Sequence, residues 1–154
     1  MTYAFKLQTV LDHRQLLEDN LKKELADIQQ QVLAIQKQLD VMKRKEINTI
    51  DALNQAQAEG LSSDQVLTYH TYLQRLSDRM AKEKTNVETL SVQASAKKDE
   101  LLEAMKNRKI LERLKDQGLE RYHREMLKKE MNFIDEMAVN QFVRNAMDQN
   151  GGCE

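Results

Sequence analysis

A chain of 154 residues with no proline, no tryptophan and only three phenylalanines has little with which to fill a rounded core, and 32% of its residues are charged. That composition suits long helices paired along a narrow stripe of Leu, Ile, Val, Met and Ala. A formal net charge of −1 gives no general attraction for polyanions, so nucleic acid is not implied as a partner, and a single cysteine, Cys153, excludes an internal disulfide framework and fits a reducing compartment.

The first arm opens with Phe5, Leu7, Val10 and Leu11, and continues through Leu17, Leu21, Leu25, Ile28, Val32, Ile35, Leu39 and Met42 to Ile50, Leu53 and Ala56. From Leu21 to Met42 the apolar spacing is strictly four and three, a heptad seam. Two successive steps of four at Leu17, Leu21 and Leu25 predict a stutter that locally unwinds the supercoil. Glu18 with Lys22 and Asp19 with Lys23 are expected to pair on the exposed face. Around Lys43 to Glu46 the stripe thins, because Glu46 and Thr49 occupy positions where the heptad calls for apolar side chains.

Gly60 is the only glycine in the first 117 residues and marks the one fold-back point. Ser62 followed by Gln65 matches a capping box, with Asp64 placed to favour the helix dipole. The second arm then carries its seam on Val66, Tyr69, Leu73, Leu76, Met80, Glu83, Val87, Leu90, Ala94, Lys97, Leu101 and Ala104. A turn between residues 60 and 61 pairs positions whose numbers sum to about 121, setting Leu39 level with Lys82, Leu25 with Ala96 and Leu11 with Ile110. The expected fold is all-α, a long two-helix antiparallel coiled-coil hairpin whose second helix is longer than the first. Its parts are helix 1 over about 3–57, a turn at 58–62, helix 2 over about 63–147 and a flexible tail at 148–154, in one domain.

By that register the first arm is used up near residue 116, while the second keeps an apolar stripe through Leu111, Leu114, Leu119, Tyr122, Met126, Phe133 and Met137, with Ile134, Phe142 and Val143 beside it. Gly118 is tolerable within it at a cost of about 1 kcal/mol relative to Ala. A helix face without a partner arm is expected to bind something else. The stretch from Lys106 to Lys129 holds nine Lys or Arg against four Asp or Glu, interleaved as on a solvated helical face.

Catalytic chemistry has no candidate constellation. The four glycines form no phosphate loop, and His13, His70 and His123 are too far apart in sequence and register to share a metal. His123 with Glu125 lacks the Cys-x-x-Cys that a deaminase site needs. No basic region followed by an apolar run opens the chain, and no window approaches ~18 consecutive apolar residues, which predicts neither a cleaved signal nor a membrane span. No enzyme, cofactor or metal site is expected.

Three stretches together resemble the FliJ family, the soluble stalk component of the flagellar type III export apparatus. They are Phe5-Lys6-Leu7-Gln8-Thr9-Val10-Leu11 with Arg14 a turn later, Gly60-Leu61-Ser62-Ser63 with Tyr69 and Tyr72 to Leu76, and Lys128 to Ala138. The resemblance spans nearly the whole chain. It implies a shaft-like coiled coil that inserts into the export ATPase hexamer, contacts the cytosolic domain of the export gate and takes part in recycling export chaperones. It further implies a cytoplasmic location at the inner-membrane face of the flagellar base, with membrane association only through partners.

The family's gate-contact face maps onto Gln38, Met42, Lys45 and Thr49 opposite Tyr72, Leu76, Arg79 and Glu83, rows that the pairing sum sets side by side. Lys45 and Thr49 depart from the apolar or aromatic pattern, which leaves Gln38, Tyr72 and Leu76 as the gate-binding candidates. Leu76 also lies on the seam, and Tyr72 stands one residue before a seam position. Leu119, Tyr122, Met126, Phe133 and Met137 are the candidates for the ATPase ring. A virulence-secretion stalk and a generic scaffold whose seam drives homodimerisation are the alternatives; a hairpin closed within its own chain predicts a monomer.

Overall fold

The computed structural model describes residues 2–150, which form two helices, α1 (Gln8–Glu59) and α2 (Ser63–Asn150), and no strand. The 88 residues of α2 exceed the 52 of α1, and the two helices pack as a hairpin. Residues 2–5 are irregular, so α1 begins later than its periodicity suggests; the Gln8 N–H reaches the Phe5 carbonyl at 3.1 Å. At the other end α2 runs past 147 to Asn150, so the first three residues of the tail expected at 148–154 are helical, and the remaining four lie outside the described residues. No helix among the described residues is long and apolar enough to cross a membrane.

The fold-back needs three residues. Gly60 takes φ 95°, a left-handed conformation that side chains with a Cβ rarely adopt, and its N–H bonds the Gln57 carbonyl at 3.4 Å. The capping box then forms as expected. The Gln65 N–H donates to Ser62 Oγ at 3.4 Å, and the Ser62 N–H donates to Gln65 Oε1 at 3.3 Å, so two otherwise unpaired N–H groups at the start of α2 are satisfied.

Two compact units are present: residues 15–105, and the chain up to Arg14 together with the chain from Lys106 on. In the first, all twelve expected seam positions of α2 from Val66 to Ala104 are buried or half-buried, and every other residue from Ser63 to Glu103 is exposed. Met42, Leu76 and Met80 form a buried cluster, with Leu39 packed against it. Lys97 Nζ reaches Glu24 Oε2 at 2.8 Å, an inter-arm pair whose numbers sum to 121, and Glu100 on its own helix at 3.2 Å. Those hydrogen bonds, Glu24's first, raise the Lys97 pKa above its ordinary value. The expected levels Leu39 with Lys82 and Leu25 with Ala96 mark height only, since Lys82 and Ala96 face solvent.

The stutter does not occur. The inward positions of α1 run Leu11, Arg14, Glu18, Leu21, Leu25 and onward to Leu53 and Ala56 in alternating steps of three and four. Glu18, at 2% exposure, takes the seam position, and Leu17, at 38%, turns outward. The phase of a long helix is set by all its contacts at once, so one polar residue is drawn inward rather than the supercoil being broken. Glu18 therefore does not decorate the exposed face; its carboxylate is buried and held by Lys22 Nζ at 2.7 Å.

In the second unit the covered face of α2 follows Leu111, Lys115, Gly118, Tyr122 and Met126, while Ile110, Leu114 and Leu119 turn outward. Gly118 is more than tolerated there. A Cβ at that position would lie 2.0 Å from the Tyr3 hydroxyl oxygen, and the Tyr3 ring packs against Tyr122 with centroids 5.7 Å apart. Irregular chain advances roughly 3.3 Å per residue against 1.5 Å in a helix, which carries the N-terminal segment this far along α2. Cover thus extends beyond residue 116.

Candidate functional site

Two surfaces gather the residues singled out in the sequence. The first is a groove of about 610 Å³ where Lys37, Gln38, Val41, Met42 and Lys45 of α1 face Tyr72, Arg75, Leu76 and Arg79 of α2. Gln38, Tyr72 and Leu76 are brought together here. Their roles differ: Leu76, 8% exposed, belongs to the seam and forms part of the floor, whereas Tyr72, 46% exposed, stands at the wall where a partner can reach it. A neighbouring groove of about 480 Å³ continues toward the turn, lined by Thr49, Gln65, Thr68, Tyr69 and again Tyr72. Lys37, Val41 and Arg75 had no place among the candidates. Their one available signal was spacing, since Lys37, Val41 and Lys45 lie one turn apart on α1 and Arg75 and Arg79 one turn apart on α2.

The second surface is the end of α2. Of its five candidates Tyr122 and Met126 are half-buried, Leu119 is at the margin with 37% exposure, and only Phe133 and Met137, at 64% and 58%, are bare. From Leu127 through Asp148 every residue is exposed, including Leu127, Met131, Ile134, Val139, Phe142, Val143 and Met147. The uncovered stretch therefore starts at 127 and runs about 30 Å at 1.5 Å per residue. Leu127, Met131, Ile134, Ala138 and Phe142 share one face at steps of four, three, four and four, a stripe of its own beside Phe133 and Met137.

Among the described residues no group of three or more His, Cys, Asp or Glu could hold a metal, and no buried side-chain polar atom lacks a hydrogen-bond partner. Apolar floors with polar or cationic rims serve recognition.

The family model described as "Flagellar FliJ protein" matches residues 3–147 of this chain. No curated protein and no solved structure matches it.

Proposed function

We propose a stalk role in flagellar protein export for this chain, which belongs to the FliJ family. In this reading the chain catalyses nothing. The bare end of α2 enters the export ATPase hexamer, and the groove of Gln38, Tyr72 and Leu76 docks the cytosolic domain of the export gate, so that one hairpin couples ring and gate. Export chaperones meet the same assembly during recycling. The site of action is the cytoplasmic face of the inner membrane at the flagellar base, reached through these partners.

The observation that carries the reading is the bare apolar stretch from Leu127 to Met147. Apolar side chains at 42% to 74% exposure on a helix with no facing arm lose free energy to water that a partner can return. Each such side chain buried contributes about 1.5–3 kcal/mol, so a few of them offset the ordering costs of docking.

The test is stimulation of ATP hydrolysis by the export ATPase. Met131→Asp with Ile134→Asp, and separately Phe133→Asp with Met137→Asp, alter exposed positions and leave helicity unchanged. At least one pair should raise the concentration needed for half-maximal stimulation by roughly a hundredfold. If both double variants stimulate like the unsubstituted chain, the end of α2 is not the ring contact. Light scattering on the same proteins separates the scaffold alternative, in which these pairs would dissolve a homodimer.

A further inference from the structure

The groove between residues 37–45 and 72–79 carries a charge that the chain as a whole does not. Four of its lining residues, Lys37, Lys45, Arg75 and Arg79, are cationic and none is acidic, in a protein of formal net charge −1. None of the four enters an ion pair or side-chain hydrogen bond among the described residues. Two other cations of the hairpin do find acids, Lys43 with Glu46 at 3.0 Å and Lys97 with Glu24 at 2.8 Å. The floor between the four is apolar, with Met42 at 7% exposure and Leu76 at 8%, and Val41 and Tyr72 rise beside it at 48% and 46%. Toward the turn the lining loses its charge altogether at Thr49, Gln65, Thr68 and Tyr69.

We infer that this groove takes an acidic, apolar-anchored segment of a protein partner. Carboxylates sit over Lys37, Lys45, Arg75 and Arg79, where the guanidinium groups offer forked donors. An apolar or aromatic side chain rests on Met42, Leu76 and Tyr72, and the uncharged end of the segment points to the turn, past Tyr69. From Gln65 to Arg79 the two grooves run about 21 Å along α2, the length of about fourteen helical residues or six extended ones. A nucleic acid fits less well. Single strands bind on successive aromatic platforms, and the cationic part of this groove offers Tyr72 alone. This inference rests on the docking role proposed above for its location, and adds the chemistry of what docks.

The probe is a labelled amphipathic peptide of about fourteen residues, with Leu at steps of three and four and Glu between them, read by fluorescence anisotropy against the full chain. Its control carries Gln for every Glu. The Glu peptide should bind about tenfold or more tightly at low salt, and the preference should close as the screening length falls from ~30 Å at 0.01 M to ~3 Å at 1 M. Arg75→Gln with Arg79→Gln, both exposed, should erase the preference and leave helicity unchanged, and Tyr72→Ala should weaken both peptides. Equal binding of the two peptides, no binding of either, or displacement of the Glu peptide by oligouridine at equal charge overturns the inference. The isolated gate domain separates the two levels. A gate domain that ignores the chain while the peptide preference holds removes the gate assignment and leaves the acidic-segment inference standing. A gate domain that binds with an affinity unmoved by salt and by the double arginine substitution does the reverse.

Discussion

Helix α2 carries large apolar residues at helical spacing in two places and buries them in only one. Leu76 and Met80 are 8% and 7% exposed, whereas Leu127 and Met131, equally apolar and four residues apart in the same way, are 59% and 65% exposed. The residues do not differ; what lies against them does. Leu76 and Met80 pack with Met42 and Leu39 of α1, while beyond Met126, which is half-buried, every residue of α2 through Asp148 is exposed. Periodicity therefore marks a face that gains by burial without saying what buries it, and the seam supplies stability where the bare stretch leaves its apolar side chains in water.

The sharpest way to break this contrast is truncation of matched leucines. Leu76→Ala opens a cavity in the buried cluster with Met42 and Met80 and should cost about 2–5 kcal/mol in chemical denaturation, whereas Leu127→Ala should stay within about 0.5 kcal/mol. Similar costs at the two positions would mean that the end of α2 is covered in the isolated chain.

A smaller effect tests the phase of the seam. Glu18→Ala removes a buried carboxylate held by Lys22 and should cost about 1–3 kcal/mol, while Leu17→Ala, on the outward side, should cost less than about 1 kcal/mol. The reverse order would restore the stutter and place Leu17 inside.

The smallest effect concerns Lys97. Its pKa is raised by Glu24 and Glu100, so the folded chain holds this proton after the unfolded chain has lost it near the ordinary value of 10.5. The contribution to stability is complete below that pH and disappears as pH climbs through the raised folded value. The difference in melting temperature between the unsubstituted chain and Lys97→Met should thus be constant at neutral pH and shrink in the alkaline range. A difference that stays flat there would leave the inter-arm pair without a part in stability.

Much of the hairpin is legible in the residues. The turn at Gly60, the Ser62 and Gln65 box and the seam from Val66 to Ala104 follow from local chemistry and spacing, which a single sequence records. Phase was harder at Leu17 and Glu18. The choice between neighbours by hydropathy favours Leu, while the helix as a whole imposes the continuous heptad. Gly118 misled for another reason: an absent side chain advertises room but not its occupant, and Tyr3 lies 115 positions earlier in the chain. At the groove, Lys37 and Arg75 had no place among the candidates, because cations become a rim only when two arms bring four of them around one apolar floor. Along the bare end the stripe through Phe133 and Met137 was visible, but the stripe through Leu127, Met131 and Ile134 beside it was not separated from it by spacing alone.

Cutting the chain after Met126 tests the division between a closed seam and a bare binding face most directly. A cut after Gln117 would remove Gly118 and Tyr122 and with them the seat of Tyr3, whereas the later cut removes, from Leu127 to Asp148, only exposed residues. The shortened chain should match the full one in denaturant stability to within about 0.5 kcal/mol and fail to stimulate the export ATPase. A loss of several kcal/mol, or stimulation equal to that of the full chain, would contradict the account.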